Sequence, residues 1–349
     1  MEVDFLVVGQ GLAGTLVAHN LLQKGKKILV FDILEENSSS RVAAGLYNPV
    51  TGKRRTKTWL ADDLFPFIEP YYLSLENLLQ TKFLQKKTIF RPFESIADQN
   101  DWALQSTEKG LDLFLELAKD TTEYTRFFHA EKGGLKTRIS GYLEVKTLLD
   151  AFAEYLKKKH LLNQTAFSYS KIEFSNDKIC YEGIVANSVI FCEGHMARKN
   201  PFFNYLPLIG TKGEILDVEI KDYTLSDIVN KGVFVLPEGK KQRIGSTYEW
   251  NFEDNAPTTK AKEELCLNLE KILKHSYRIV DHKAGIRPTT KDRRPLIGRH
   301  PEIKNVFIFN GLGTKGVSLA PYFSVMFANW LLGEGELLKD VNITRFPKN

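Results

Sequence analysis

Gly9-x-Gly11-x-x-Gly14 is the first group of residues in this chain whose types and spacing serve a recognisable chemistry. Glycines so spaced allow a tight turn, close approach of backbone to a pyrophosphate, and close packing of a helix on its strand. The pyrophosphate then rests on unpaired N–H groups at the helix N-terminus, here those around Leu12 and Ala13. Asp32, at the end of the next apolar run, is placed to accept hydrogen bonds from ribose hydroxyls and to repel a 2′-phosphate. The plainer alternative is a glycine-rich strand–helix turn with no ligand. The fingerprint alone does not separate NAD from FAD. No metal chemistry is expected: the seven histidines show no ligand spacing, and Cys180, Cys192 and Cys266 form no CxxC pair.

The elements around the fingerprint support it. Asp4–Val8 reads as a buried parallel strand, residues 15–24 as a helix ended by Gly25, and Lys27–Asp32 as a second buried strand, which together make a βαβ unit. A helix-rich stretch is expected from about Trp59 to Leu117, and a helix with an apolar stripe at Leu148–Leu156. Two short strands fit 178–192, and the alternation between 210 and 250 fits half-buried antiparallel strands. A polar helix follows at about 258–274. Asn305–Asn310 is a buried strand broken by Gly311, Gly313 and Gly316, before an apolar helix from Ala320 to Leu332. A strand–glycine turn–helix unit thus stands at both ends of the chain. The expected fold class is mixed α/β, a Rossmann-type nucleotide-binding domain with an inserted substrate domain built on an antiparallel sheet. The nucleotide domain is expected to comprise 1–58, 140–204 and 282–349, and the substrate domain 59–139 and 205–281.

Composition narrows the field. With 349 residues, 43% hydrophobic and 26% charged, the chain is expected to be a soluble globular protein of about two domains. The acidic start and the absence of an apolar run near 18 residues argue against a signal peptide or membrane span, and sparse cysteines suit a reducing compartment. The expectation is a cytoplasmic protein. A net charge of +5 is too mild to argue for nucleic-acid binding.

Three further segments carry a family resemblance. Ser39-Ser-Arg-Val-Ala-Ala-Gly-Leu-Tyr-Asn-Pro49 resembles the segment that D-amino-acid oxidases lay along the FAD pyrophosphate and flavin. Gly285-Ile-Arg-Pro-Thr-Thr-Lys-Asp-Arg-Arg-Pro-Leu-Ile-Gly298 resembles their C-terminal signature. Asn310-Gly-Leu-Gly-Thr-Lys-Gly-Val-Ser-Leu-Ala-Pro321 resembles their loop over the flavin pyrimidine edge. With the fingerprint, these run in family order over nearly the whole chain. The sequence resembles the D-amino-acid oxidase and glycine oxidase superfamily of FAD proteins. Its C-terminal loop is also similar to the FAD domain of the bifunctional enzyme that makes 5-methylaminomethyl-2-thiouridine in tRNA.

The resemblance implies noncovalent FAD, since no cysteine lies near either C-terminal motif, and a nucleotide-binding domain that is FAD-binding. It assigns to the cofactor Gly9, Gly11, Leu12, Ala13, Gly14, Asp32, Arg41, Ala43, Ala44, Gly45, Leu46, Gly194, Arg287, Gly311, Gly313, Thr314, Lys315, Gly316 and Val317. Donors in Gly311–Val317 would stabilise the negative charge that develops when a hydride reaches flavin N5. Lys315 would add a full charge there; the plainer reading is a solvated surface lysine. Arg287 matches the arginine that grips a substrate carboxylate, through two parallel bonds that fix the Cα–H over the flavin; its alternative is a structural ion pair. Phe234 stands where the family carries a carboxylate-binding tyrosine, and is otherwise plain core. Tyr47 and Tyr248 are candidates to supply the missing hydroxyl.

The activity so implied is oxidation of the C–N bond of an amino acid or secondary amine by hydride transfer to flavin N5, with oxygen or another acceptor reoxidising the flavin. One alternative is oxidation of a carboxymethylaminomethyl-type uridine in tRNA. Another is a flavin-binding protein without turnover. The basic run Gly52-Lys-Arg-Arg-Thr-Lys57 would favour an anionic substrate, tRNA included, if it lined the site mouth; the plainer reading is a solvated loop.

Overall fold

In the computed structural model all residues are described except 53, 54, 109, 176 and 349, with the backbone alone for 103–108. Glu2–Val8 pairs in parallel with Ile28–Phe31 on one side and Ile184–Phe191 on the other. Val306–Asn310 adds in parallel beyond Ile184–Phe191, and Leu162–Asn163 beyond Ile28–Phe31. Antiparallel strands complete an eight-stranded mixed sheet. Alternation along the first strand sends Phe5 and Val7 to one apolar cluster and Leu6 and Val8 to another. Both faces are therefore covered, as a parallel sheet requires. One cover is made by the helices Leu12–Gln23, Val145–Lys158 and Gly316–Leu331, through Leu16, Phe152 and Phe323 among others.

The second large sheet, also eight-stranded, is antiparallel apart from the contact of Ile228–Lys231 with Ile89–Pro92. Its spine is the long pair Leu208–Ile220 and Tyr277–Thr290. Leu216 and Val218 pack into a cluster with Leu265 and Leu269 of the helix Thr259–Glu270. Thr211, Gly213 and Ile215 alternate with buried Leu216's row and so look to the opposite face.

Most expected elements are found, the terminal helix opening four residues early, at Gly316. The stretch from Trp59 to Leu117 is less helical than its composition implies. It holds the helices Ala61–Leu79 and Ile96–Glu108 but also the strands Leu84–Lys86, Ile89–Pro92 and Leu115–Leu117. Those strands are stabilised by distant partners, Gly141–Leu143 and Gly134–Thr137 among them, which local periodicity does not reveal. Among the described residues no helix is long and apolar enough to cross a membrane.

Candidate active site

Parallel register brings the ends of four strands to one edge. Val8 lies beside Phe31 and Phe191, and Phe191 beside Ile308. The segments that leave this edge are the Gly9–Gly14 turn, Asp32, Cys192–Gly194 and the Gly311–Gly316 loop. Carboxyl ends of strands are where open α/β sheets bind ligands.

At the fingerprint, close approach makes two glycines obligatory. Gly9 has φ of +101°, and a Cβ there would lie 2.6 Å from the Cys192 carbonyl oxygen. At Gly14 it would lie 1.8 Å from the Gly9 carbonyl oxygen, so the helix sits directly on the turn. Gly11 is the more open position, its nearest neighbour being the Ser40 hydroxyl at 3.2 Å. Ser40 Oγ accepts from the Leu12 N–H at 3.1 Å, which places the 39–47 segment across the helix N-terminus. The Asp32 carboxylate accepts from the N–H groups of Gln10 and Leu34, bracing the turn. Gly45, at φ +71°, is pressed against the strand Gly141–Leu143, where a Cβ would fall 1.9 Å from the Leu143 carbonyl oxygen. Ala43 is exposed, with Ala44 and Leu46 half-buried. Gly194 has open space around it, and its carbonyl accepts from Asn310.

The C-terminal loop is fastened in part. Gly311 donates to the Asn310 side chain, Gly313 to the Pro288 carbonyl at 3.0 Å, and Lys315 to Leu312. Among the described residues the N–H groups of Thr314, Gly316 and Val317 are left without a protein acceptor. These three, at the mouth of the terminal helix, and the Leu312 N–H, which likewise has no acceptor among the described residues, are the loop's donors available to a ligand.

Arg287 lies on the strand Tyr277–Thr290, opposite Thr211. Its guanidinium folds over Gly213, where a Cβ would be 1.9 Å away, so only glycine leaves it room. It donates to the Thr247 carbonyl at 3.1 Å and stacks on the exposed Tyr248 ring at 4.8 Å. Among the described residues it has no carboxylate within ion-pair distance, and burial holds its pKa below the ordinary value. On the same face, Thr211 and Thr289 carry buried hydroxyls that have no hydrogen-bond partner. Thr289 lies against Gly313. Phe234 is half-buried, its ring over Gly245 in the cross-strand row that includes Ile215.

Other expected residues stand elsewhere or differently. Tyr47 is wholly buried, and its hydroxyl faces Glu69 at 3.5 Å. Burial, then the Glu69 charge, raise its pKa, so it reads as core. Arg41 is held by Asp150 at 2.5 Å and Glu36 at 3.7 Å. Lys315 is not a solvated surface lysine. It is half-buried and donates to Thr58 at 3.0 Å and Thr51 at 3.4 Å. Burial first, then the charges of Arg293 and Arg294, lower its pKa to about 8. In the basic run, Arg55 is buried against Asp98 and Lys57 is paired with Asp62 at 2.6 Å; Lys53 and Arg54 lie outside the described residues. Among the described residues no group of His, Cys, Asp and Glu is placed to hold a metal ion.

The sequence profile of the FAD dependent oxidoreductase family matches residues 4–330. The chain belongs to this family. A glycine oxidase of Pseudomonas putida is 29% identical to this FAD-dependent oxidoreductase over 95% of each chain. The tRNA 5-methylaminomethyl-2-thiouridine biosynthesis bifunctional protein MnmC of Actinobacillus pleuropneumoniae is 21% identical over 95% of this chain, which spans 56% of that protein. Glycine oxidase from Bacillus cereus superposes with a TM-score of 0.80 at 18% identity, covering 99% of both chains.

FAD fits the residues present. The turn at Gly9 and Gly14 excludes side chains from the cradle, the donors of Thr314, Gly316 and Val317 are free, and the orphaned Thr289 hydroxyl faces the loop. Several of these residues escape sequence reasoning. Thr211 and Thr247 lie in no motif, while Ser40 and Thr289 lie inside the two family-like segments without a role of their own there. Gly213 does carry a signal, since an isolated glycine inside a strand pattern marks close approach. Cys192 packs beneath the fingerprint turn although it is remote from it in sequence.

Proposed function

We propose that this FAD-dependent oxidoreductase oxidises the C–N bond of a carboxylate-bearing amine or amino acid, and that Arg287 holds the carboxylate. The observation that carries this reading is the half-buried guanidinium, with no counter-ion among the described residues, beside the Gly313 loop. A cation stripped of water and unpaired is costly, and an incoming carboxylate offsets that cost through two parallel hydrogen bonds. FAD, when bound, supplies the two-electron acceptor. The chain's own work is then positioning. Gly213 leaves room for the guanidinium, Thr247 and Tyr248 orient it, and Phe234 offers an apolar wall without a hydroxyl. Thr314, Gly316 and Val317 direct N–H dipoles to where negative charge grows, at no cost of reorganisation. No protein base is needed if the amine arrives neutral, because removal of the Cα hydrogen with its electron pair leaves an iminium ion that water hydrolyses.

In this reading Gly9, Gly11, Leu12, Ala13, Gly14, Asp32 and Gly194 cradle the pyrophosphate and ribose. The proposed FAD-binding domain is 1–58, 140–204 and 282–349, with 59–139 and 205–281 as the substrate domain. The likeness to MnmC favours a second reading, in which the carboxylate belongs to a modified uridine of tRNA. A binding protein without turnover has no use for a carboxylate clamp. Anaerobic titration of the purified holoenzyme with glycine, sarcosine, proline and D-amino acids tests the proposal. Bleaching of the flavin by at least one of them is expected, and failure of every carboxylate-bearing amine to bleach it would sink the reading.

A further inference from the structure

Cations near the flavin loop are treated in two ways by this structure. Arg55 and Lys57 each have an acid, Asp98 and Asp62. Asp292, the acid within the segment 291–294, is engaged by Arg345 at 2.9 Å. Like Lys291 at the start of that segment, Lys315, Arg293 and Arg294 have no carboxylate within ion-pair distance among the described residues. Their placement is built. Lys315 Nζ is held by the Thr58 and Thr51 hydroxyls. Trp59, next to Thr58 in sequence, stacks on Phe323 of the terminal helix with centroids 5.6 Å apart. Arg294 lies over that same Trp59 ring at 4.1 Å. Arg293 is exposed on the adjoining turn, with φ of +57°. The Gly313-to-Pro288 hydrogen bond ties this loop to the strand of Arg287.

We propose that Lys315, Arg293 and Arg294 form a second oxyanion subsite, so that the substrate is a dianionic amine with one carboxylate at Arg287 and a second carboxylate or phosphate-type group here. The inference rests on the proposed role of Arg287. Three cations gathered without an acid among the described residues repel one another, and the pKa of Lys315 is lowered by burial first and by that repulsion second. An oxyanion between them relieves it. Arg294 offers a planar fork already flattened on Trp59, and Lys315 a point charge that two hydroxyls aim. The ligand class this fits is an amino acid whose nitrogen or side chain carries another acidic group.

The test uses oxidised holoenzyme and ligands that cannot be dehydrogenated. Diglycolate and its one-carboxylate counterpart methoxyacetate are titrated by flavin difference spectra and by calorimetry. Diglycolate should bind about tenfold or more tightly, a preference that weakens with added salt. Arg293→Gln, at an exposed position that should not disturb folding, and Lys315→Met should each bring the ratio of the two affinities close to one. Diglycolate against (phosphonomethoxy)acetate, its ether analogue with one phosphonate, then tells a carboxylate pocket from a phosphate-type pocket. Equal affinity of wild-type protein for diglycolate and methoxyacetate, no detectable binding of either, or a preference that survives both substitutions overturns the proposal. Flavin bleaching by the amines decides the Arg287 reading separately, since the ether acids report binding whether or not any amine is oxidised.

Discussion

Arg287 and Gly213 act as one unit, which makes them the sharpest place to test the site. Truncating Arg287 to Ala should lower kcat/KM for a carboxylate-bearing amine by about 2–5 kcal/mol, the usual cost of removing one partner of a desolvated charge pair. FAD content measured after acid release should stay near wild type. Gly213→Ala should mimic part of that loss while keeping the arginine. The new methyl would overlap three guanidinium atoms at 1.9–2.1 Å, and a flexible side-chain end moves more easily than backbone. KM is therefore expected to rise with little change in Tm; an unchanged KM would show that the guanidinium has another resting place. Lys315 gives a pH signature. Arg293 and Arg294 are the charged groups that face it and Thr51 and Thr58 the neutral ones, so it is cationic below about pH 8 and neutral above. Preference for diglycolate over methoxyacetate should thus be greatest below pH 8 and fall above it, and titration across pH 6–10 reads this directly. The sign for folding is opposite: between about 8 and 10.5 the unfolded chain keeps a proton that the folded protein has released, so this group favours folding more as pH rises.

At the scale of elements, the same alternation that made strands legible also hid their purpose. The βαβ unit could be read because Asp4–Val8 and Lys27–Asp32 are continuous apolar runs around a glycine turn. The long strand Leu208–Ile220 alternates just as clearly, yet only pairing with Tyr277–Thr290 shows that Thr211 and Gly213 share a face with Arg287. Register is a long-range property, and sequence spacing does not contain it. The same limit explains Leu84–Lys86 and Ile89–Pro92, which lie in a stretch of helical composition and become strands through distant partners. Tyr47 is a parallel case: its position within the segment 39–49 makes it a candidate substrate hydroxyl, but pairing of Leu46–Tyr47 with Gly141–Leu143 turns it into the core. The fingerprint turn offers an element-level prediction with two distinguishable results. Gly11→Val should give a folded protein that no longer retains FAD, because Gly11 is open except toward the Ser40 hydroxyl. Gly14→Ala should instead lower Tm and yield, since its methyl meets the Gly9 backbone at 1.8 Å and the helix must lift from the strand. If Gly11→Val keeps stoichiometric flavin, the pyrophosphate lies elsewhere.

Across the whole molecule, charge separates a small dianionic substrate from a nucleic acid. The excess of +5 over 349 residues is modest, and much of the cationic surface is already paired with acids, as at Lys24–Glu334, Lys146–Glu36 and Lys178–Glu2. Of the basic run after the flavin-like segment, Arg55 is buried on Asp98 and Lys57 bound to Asp62, so neither is free for a phosphate backbone. Arg293, Arg294 and Lys315, which have no acid within ion-pair distance among the described residues, share one small area beside the loop, and Lys315 is half-buried. Such an area suits one or two oxyanions. It does not track a polymer. Each phosphate neutralised adds roughly 0.7–0.9 to the slope of log affinity against log salt, so a backbone tracked over several phosphates gives a steep line. Filter binding of bulk tRNA between 50 and 200 mM salt should therefore show weak association with a slope of about one to two, changed little by Arg293→Gln. A slope of about four or more, falling when Lys53, Arg54 and Arg55 are all replaced by Ala, would instead mean that the polymer is held along the 52–57 segment. Replacing Arg55 strips Asp98 of its partner, so Tm is measured beside affinity to separate lost contact from lost fold. With Tm held, that steep and variant-sensitive slope would move the modified uridine ahead of the small amine as the substrate whose carboxylate Arg287 receives.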